Sequence, residues 1–339
     1  MATLGASFVD LIDIYKQQDG QGQYVEIIEM LSEMNPILDD AIAVECNKGS
    51  SHLHTVRTGL PSVTWGKLYQ GIPNSKSGKA QVEDTTGFVE GLSTIDKRLL
   101  ELSTNEGAVR LSEAMSYLEA MSQEVASKMF YGDTASDPEE FMGFAPRFND
   151  LSAPNGNQII DAGGTGSDNT SVWFITWGDN QCHLLYPKGT KAGVQREDKG
   201  EQRLTDSNGN AYYGKEELFR WHVGLAVKDW RYVVRIANID VSLLAADPTN
   251  IDGSNNSLYH YMRKAYYQLQ NRRVAGGRLS IYCNKDVLEA LDALGTNSGT
   301  NDVFTRLTMQ EIQGKEVEAY RKIPIRETDA ILNTEARVT

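Results

Sequence analysis

The sequence predicts an α+β fold, and two observations carry that prediction. Residues 106–130 form one long amphipathic segment, which indicates a single extended helix. Strand-like runs rich in β-branched and aromatic residues then follow at residues 172–177, 218–225 and 230–241. Because helical and strand patterns do not alternate regularly along the chain, a parallel β-α-β order is not expected.

Length and composition limit what this chain can be. Its 339 residues are enough for about two domains, and 40% hydrophobic residues allow a sizeable core. No apolar run approaches the roughly 20 residues that cross a bilayer, and the first residues lack the basic and apolar regions of a signal peptide. We therefore expect a cytoplasmic product that does not enter membranes. The formal net charge of −13 argues against a surface built to neutralise phosphates.

The N-terminal region is predicted to form short apolar segments. Apolar residues share one face over residues 24–34, which indicates a helix, and Asn35-Pro36 interrupts it. A second short apolar segment follows at residues 37–44. This region fits two interpretations, an arm that packs on a neighbouring molecule or ordinary helices on the parent core.

Residues 66–80 are predicted to project from the body between two strands, residues 55–65 and 81–92. The segment carries glycines, serines and three lysines but few large apolar side chains, so it cannot fold on its own. A solvated surface loop is the simpler interpretation. A loop longer than about 12–15 residues without internal structure usually has a function, however, which favours a projecting arm.

The long helix is predicted to begin at a capping box. Ser103 and Glu106 have the S-x-x-E spacing in which each side chain satisfies the other residue's backbone N–H. One apolar stripe runs along the helix, and it is predicted to lie in the core. The stripe consists of Leu111, Met115, Leu118, Val125 and Met129.

The second half of the chain is predicted to be rich in strands. Residues 172–177 and 182–186 flank Gly178-Asp179-Asn180, which is a hairpin signal. The sequence predicts two further helices, at 258–271 and 285–294, and three further strands, at 278–283, 317–325 and 329–332. Irregular tracts are predicted at 150–170, 189–199 and 296–301.

The patterns that resemble reactive or metal-binding sites have simpler explanations. Cys46, Cys182 and Cys283 are odd in number and far apart, so we expect three reduced, buried thiols without a disulfide. Residues 206–217 place oxygen-bearing side chains at four positions of a calcium loop, but Ala211 stands where that loop needs glycine. An Asn-Gly turn explains the same residues.

No catalytic, cofactor or metal site is predicted. His52 and His54 could approach a metal together, but no cysteine or carboxylate stands at ligand spacing nearby. His183, His222 and His260 sit within apolar or aromatic runs and are expected in the core. The sequence also lacks the motifs of nucleotide loops, serine hydrolases and zinc proteases, so it supports no committed reaction.

The long helix and the residues after it resemble a known pattern. Tyr131-Gly132-Asp133, followed by the stretch from Phe141 to Pro146, is similar to a "G-D-G…p-x-G-[IL]" signal. That signal follows the long helix of tailed-bacteriophage major capsid proteins of the Hong Kong 97 type, including the short-tailed phage type. This chain departs from it, because Thr134 replaces a glycine and Phe144 follows the second glycine.

The resemblance continues into the C-terminal half and covers roughly residues 49–339. Residues 258–294 look like the axial domain of this family, and Gly314-Lys-Glu-Val317 with Ile323-Pro324 looks like its closing motif. The implied fold is therefore the Hong Kong 97-like phage capsid fold, with a long spine helix, an extended β-hairpin loop (E-loop), and peripheral and axial domains. The implied boundaries are an N-terminal arm at 1–50, the E-loop hairpin at 51–95, the peripheral domain at 96–150 and 306–339, and the axial domain at 151–305.

The resemblance also implies a function, which is self-assembly as hexamers and pentamers into the icosahedral shell that encloses the double-stranded DNA genome of a tailed phage. Implied partners are other copies of the chain, a portal, a scaffold and a cement protein, with packaged DNA on the acidic inner face without sequence-specific binding. The chain would be made in the host bacterial cytoplasm and end in the virion. No cofactor is implied, and the candidate residues for contacts between subunits are Lys67, Tyr69, Lys76 and Lys79.

Two other functions stay open at this point. The shell of a bacterial nanocompartment (encapsulin-like) shares this fold and holds enzymes in place of a genome. A soluble enzyme with an unrecognised site is the remaining interpretation, and imaging of purified particles would separate it from both kinds of shell.

Overall fold

A computed structural model of the protein describes residues 33, 35–103, 105–206, 208–296, 307–312 and 315–339. Almost all of the helix predicted at residues 24–34, most of the N-terminal arm, the tract at 297–301 and Gly314 therefore lie outside the described residues.

Within these ranges the chain forms helices and strands in no alternating order. The helices are α1 (Ile37–Asp40), α2 (Lys97–Leu102), α3 (Glu106–Tyr131), α4 (Phe144–Arg147), α5 (Val241–Ala246), α6 (Leu258–Gln268) and α7 (Lys285–Thr296), with 3₁₀ turns at Gly156–Gln158 and Trp230–Tyr232. The strands are β1 (Ala43–Glu45), β2 (Ser51–Gly59), β3 (Gly78–Asp96), β4 (Ile159–Asp161), β5 (Asn169–Trp177), β6 (Cys182–Tyr186), β7 (Val194–Thr205), β8 (Ala211–Val227), β9 (Val233–Asp240), β10 (Arg278–Cys283), β11 (Leu307–Ile312), β12 (Lys315–Tyr320) and β13 (Ile323–Glu327).

The described strands join in one mixed sheet. Its main path runs β11-β12-β13-β10-β5-β6-β8-β3-β2, while β7 pairs with β8, β9 pairs with β4 and β5, and β1 pairs with β6. Parallel pairs, such as β10 with β13 and β4 with β9, occur among antiparallel ones. The predicted α+β class is therefore confirmed.

The hairpin predicted at Gly178-Asp179-Asn180 is wrong. β5 pairs antiparallel with β9 and β10, and it meets β6 only at the parallel pair of Trp177 and Cys182. β6 instead pairs antiparallel with β8 and parallel with β1. The turn carries the chain to new neighbours because both edges of β5 are already occupied.

β5 is buried along its whole length. Trp173 and Ile175 join an apolar cluster with α3 and α4, whereas Val172 and Phe174 join a second cluster with α6 and α7. Successive side chains point to opposite faces of a strand. Helices on both faces of the sheet therefore explain why β5 is apolar at nearly every position.

The long helix α3 begins two residues later than a capping box at Ser103 requires. The Asn105 side chain caps it, since its Oδ1 accepts a hydrogen bond from the Ala108 N–H at 3.2 Å. Ser103 instead ends the short helix α2, and its hydroxyl donates to the Leu100 carbonyl at 2.7 Å. The predicted capping box is wrong because a separate short helix precedes α3.

The predicted stripe of α3 is core only in the C-terminal half of the helix. Val125 and Met129 are fully buried, whereas Leu111, Met115 and Leu118 are 56%, 60% and 39% exposed. The first half of α3 packs on the sheet through a neighbouring face. The buried residues of that half are Val109 and Ala114, and Met121 in the second half is buried in the same small cluster as Ala114.

Two glycines after α3 allow backbone segments to approach closely. A Cβ added to Gly132 would lie 2.5 Å from the Phe141 carbonyl oxygen, and one added to Gly143 would lie 2.6 Å from the Lys128 carbonyl oxygen. The Gly143 N–H donates to the Gly132 carbonyl at 2.8 Å. The "G-D…G" motif therefore has a steric reason, because only glycine fits at either position.

β2 and β3 form the predicted long hairpin. β2 ends at Gly59, before the expected strand end at residue 65, because Pro61 cannot donate a backbone hydrogen bond to the ladder. Residues 60–77 connect the two strands, and we call them the loop tip.

Candidate assembly surfaces

The loop tip exposes large apolar side chains. Six of them are at least 79% exposed, which is far more than a folded chain ordinarily leaves in water at one place. The six residues are Leu60, Val63, Trp65, Leu68, Tyr69 and Ile72. These side chains contribute nothing to the core of their own subunit, so the loop tip has the composition of a contact surface.

The structure places three of the four predicted contact residues in the loop tip. Lys67, Tyr69 and Lys76 lie there, while Lys79 lies on β3 opposite Arg57, and all four predicted residues are exposed. The Tyr69 backbone has a φ of 65°, a left-handed conformation that is uncommon for an aromatic residue. The apolar character of the loop tip was missed because the sequence predicts a strand at residues 55–65, which contains three of the six exposed apolar side chains.

The two legs of the loop tip are tied to each other. The Ser75 hydroxyl donates to the Ser62 carbonyl at 2.7 Å, and the Gln70 N–H donates to the Lys67 carbonyl at 3.3 Å. The first bond links the two legs of the loop, and the second closes the turn at its end.

A polar cluster anchors the base of the hairpin. His52 on β2 pairs in register with Asp84 on β3, and Arg147 of α4 donates to Asp84 Oδ1 at 2.8 Å. His54 Nδ1 lies 3.7 Å from Asp84 Oδ2. The ring of His183 on β6 meets the His52 ring edge to face, with 5.7 Å between centroids. The hairpin is thus fixed to α4 and to β6 at its base.

Burial keeps the histidines of this cluster neutral at pH 7. It lowers the pKa of His183 to about 4, with Lys228 and His52 adding to the effect. Burial also lowers the pKa of His52 and of His54, although Asp84 opposes this change in both. Of the residues expected in the core, His183 is buried, but His222 and His260 are only half-buried, so that prediction is wrong for them.

The exposed face of α3 is a second apolar surface. Leu111, Met115 and Leu118 follow one another at helical spacing on that face. No sequence pattern marks this face as an interface, because a core stripe and a contact stripe have the same periodicity. Its exposure is visible only in the folded subunit.

The candidate calcium loop is a turn. Asp206 Oδ1 accepts hydrogen bonds from the backbone N–H groups of Asn208 and Asn210 at 2.9 and 2.7 Å, and Gly209 has a φ of 83°. These contacts connect β7 to β8 as an antiparallel pair. The interpretation as an Asn-Gly turn is therefore confirmed.

The three cysteines are free and buried, as predicted. Burial raises the pKa of Cys182 and of Cys283, and burial together with Glu45 raises that of Cys46. Raised pKa values keep these thiols protonated. Their role is to fill space in the core.

Two negative findings hold for the described part of the chain. No three histidine, cysteine, aspartate or glutamate side chains come together there as a group that could hold a metal ion. No helix there is long and apolar enough to cross a membrane.

The chain is similar to phage capsid proteins in sequence and in structure. A family model described as major capsid protein GP7 matches residues 19–339. A chain in the structure of bacteriophage Epsilon15 is 36% identical, with 100% of both chains covered and a TM-score of 0.76. The capsid of bacteriophage JBD30 is 11% identical over 97% of this chain and 96% of that chain, with a TM-score of 0.51, and shows the fold alone. No curated protein matches the chain.

Proposed function

This chain belongs to the major capsid protein GP7 family. From its exposed surfaces we propose that the loop tip of one subunit packs on the exposed face of α3 in a neighbouring subunit. The chain has the Hong Kong 97-like fold and is a phage shell-forming protein of the virion capsid. The observation that carries the proposed contact is the group of six large apolar side chains exposed on the loop tip.

The loop tip is suited to a contact outside its own subunit. Burying one large apolar side chain contributes about 1.5–3 kcal/mol, so a group of six stabilises a contact strongly even after the cost of ordering both partners. β2 has nine residues, and at about 3.3 Å per residue the hairpin can carry its tip about 30 Å along its own axis. The loop tip can therefore reach a neighbouring copy.

The exposed face of α3 supplies a matching partner surface. Leu111, Met115 and Leu118 are apolar, exposed and in line along one helix. The unbranched thioether of methionine adapts to the shape of a partner, which suits a face that receives an aromatic side chain such as Trp65. Every copy carries both surfaces, so one contact can repeat around a ring.

The lysines have a different role in this proposal. Lys67, Lys76 and Lys79 are exposed at or beside the loop tip of a subunit whose formal charge is −13. Opposite charges across an interface raise the rate of encounter more than they raise affinity. The lysines would therefore guide the loop tip to the acidic neighbour, and the apolar side chains would hold it there.

The assembled state follows from the same proposal. Hexamers and pentamers would close the shell around double-stranded DNA, with a portal, a scaffold and a cement protein as further partners and DNA on the inner face without sequence-specific binding. The peripheral domain would comprise residues 96–150 and 306–339, and the axial domain residues 151–305. Synthesis would take place in the host bacterial cytoplasm. A purely structural role without catalysis is part of this proposal, and family membership favours it over a nanocompartment shell or an enzyme.

The loop tip is tested by making its apolar side chains polar. In the variant Trp65→Ser, Tyr69→Ser, Ile72→Ser we expect an unchanged melting temperature, because none of the three contacts the core, but no closed shells on sedimentation. The matched control replaces three exposed apolar residues elsewhere, Tyr213→Ser, Leu243→Ser, Leu332→Ser, and should assemble.

The lysines are tested separately. Lys67→Glu, Lys76→Glu, Lys79→Glu should assemble slowly but still reach closed shells, because charge guides the encounter and apolar burial holds the contact. Closed shells of normal size from the serine variant would contradict the proposed contact. A lysine variant that never assembles would mean that charge holds the contact.

A further inference from the structure

A long stretch of the chain contains basic residues and no carboxylate. Residues 253–284 hold five arginines and lysines but no aspartate or glutamate, in a chain with 46 acidic and 33 basic residues. The five residues are Arg263, Lys264, Arg272, Arg273 and Arg278. Positive charge is therefore concentrated in this stretch of an otherwise acidic sequence.

Two separate parts of the fold bring arginines onto the same pair of tyrosines. The rings of Tyr266 and Tyr267 meet edge to face with 5.3 Å between centroids. Arg272, which follows α6, places its Cζ 5.1 Å from the Tyr267 ring centroid, and Arg321, between β12 and β13, lies 4.9 Å from the Tyr266 ring centroid. We call Arg263, Tyr266, Tyr267, Arg272 and Arg321 the tyrosine–arginine patch.

The charge of this patch is not neutralised within the described residues. Its three arginines are exposed, and no ion pair joins them to a carboxylate in that part of the chain, whereas Arg278 and Arg326 both pair with Asp40 at 3.0 Å. The pKa of Tyr267 is lowered by a hydrogen bond from Arg321 and by the nearby arginine charges. The patch is therefore a positively charged surface that can bind an anion.

The turn that carries Arg321 is formed against local backbone preference. Tyr320 pairs with Ile323, so Arg321 and Lys322 are the two central residues of a two-residue hairpin, and their φ values are 54° and 68°. Such turns favour Asn-Gly, because both central residues need a positive φ. Two long cationic side chains at this position cost stability, and backbone strain of this kind concentrates at functional sites.

We propose that the tyrosine–arginine patch docks on carboxylates of a second copy of this chain. The inference rests on the proposed function, in which copies of the chain form a shell. Each neighbouring copy brings a net charge of −13, and head-to-tail contacts in a ring join two different surfaces of the same chain. Arginine binds carboxylates through two parallel hydrogen bonds, and stacking on tyrosine rings holds the guanidinium planes ready for that geometry.

A nucleic acid is the other polyanion that a shell protein meets. Binding of duplex DNA commonly uses about 6–10 phosphate contacts spread along the backbone. Two guanidinium groups stacked on two rings, with the charge of Arg263 nearby, match a few carboxylates at fixed positions better than a continuous line of phosphates. The observations therefore favour a second copy of the chain.

The test reverses the charge of the patch in the full-length chain. Arg263→Glu, Arg272→Glu, Arg321→Glu should keep the melting temperature of the subunit and lower the yield of shells by about tenfold or more, measured by sedimentation of nuclease-treated protein. The matched control changes net charge equally at exposed residues outside the patch, Lys188→Glu, Lys191→Glu, Arg203→Glu, and should assemble normally. Arg263→Lys, Arg272→Lys, Arg321→Lys keeps the charge but loses the two parallel hydrogen bonds and the ring stacking, so its yield should lie between those of the glutamate variant and the wild type.

The possible outcomes distinguish the proposed role of the patch in assembly from that of the loop tip. Normal shells from the glutamate variant, in a preparation where the serine variant of the loop tip fails, would overturn the patch and leave the proposed function standing. If the glutamate variant assembles normally but binds a fluorescent duplex oligonucleotide more weakly than the wild type, the patch binds DNA. That result would overturn the proposed contact with a second copy of the chain. A wild-type chain that forms no shells would contradict the proposed function itself.

Discussion

His183 links the stability of the hairpin base to pH. Burial lowers its pKa to about 4 in the folded subunit, whereas an exposed histidine in the unfolded chain titrates near 6.5. The unfolded chain therefore takes up the proton first as pH falls. The contribution of neutral His183 to the unfolding free energy is fully present above about pH 6.5 and is lost progressively as the pH falls towards 4.

Replacing His183 should remove this sensitivity to acid. The unfolding free energy of the wild type should fall on going from pH 7 to pH 5. In His183→Gln we expect this fall to be smaller by about 2 kcal/mol, because glutamine does not titrate. Urea unfolding at the two pH values measures the difference. Equal acid losses in His183→Gln and the wild type would show that other groups set the pH dependence.

At the scale of an element, α3 has two halves with different roles. The half that contains Val125 and Met129 packs into the main core beside Phe130 and Phe144. The half that contains Met115 leaves one face in water. A single amphipathic pattern thus serves folding at one end and, in our proposal, assembly at the other.

Substitutions in the two halves of α3 should separate these roles. Val125→Asp buries an unpaired charge, costs several kcal/mol and should give insoluble or unfolded subunits. Met115→Asp lies on the exposed face and should keep the melting temperature within a few degrees while reducing shell formation. Thermal melts and sedimentation measure the two effects. Unfolding of Met115→Asp would mean that this face supports the subunit core.

At the scale of the whole molecule, the net charge of −13 makes free subunits repel one another. Complementary surfaces act only after two copies have come close. The repulsion has a longer range at low ionic strength, because the screening length falls from about 30 Å at 0.01 M to about 8 Å at 0.15 M.

Wild-type assembly should therefore be faster at the higher of these ionic strengths. Light scattering of purified subunits after mixing into about 0.01 M or about 0.15 M salt measures the rate. The control Lys188→Glu, Lys191→Glu, Arg203→Glu carries more negative charge and should show a larger increase. Slower assembly at the higher ionic strength would mean that the local attraction of the loop-tip lysines to the neighbour outweighs the overall repulsion between subunits.

The local features of this protein could be predicted from its amino-acid sequence. The long helix was placed within one residue of its observed end, the hairpin with its projecting loop was recognised, and residues 206–210 were identified as a turn. The three cysteines were expected to be buried and are. Each of these features depends on neighbouring residues in the chain, through helical periodicity, proline and glycine punctuation, or side-chain bonds to the nearby backbone.

Features that depend on residues far apart in the sequence became visible only in the folded protein. Periodicity showed that α3 is amphipathic, but which side chains are buried depended on how the helix lies on the sheet, so Leu111 and Met115 are exposed. The neighbours of β6 were set by the occupied edges of β5, which no local pattern records. Arg321 and Tyr267 belong to distant elements, and their contact exists because the turn after β12 meets α6. Local interactions determine which elements form, while burial and strand pairing across the whole chain determine which of their surfaces remain free for assembly.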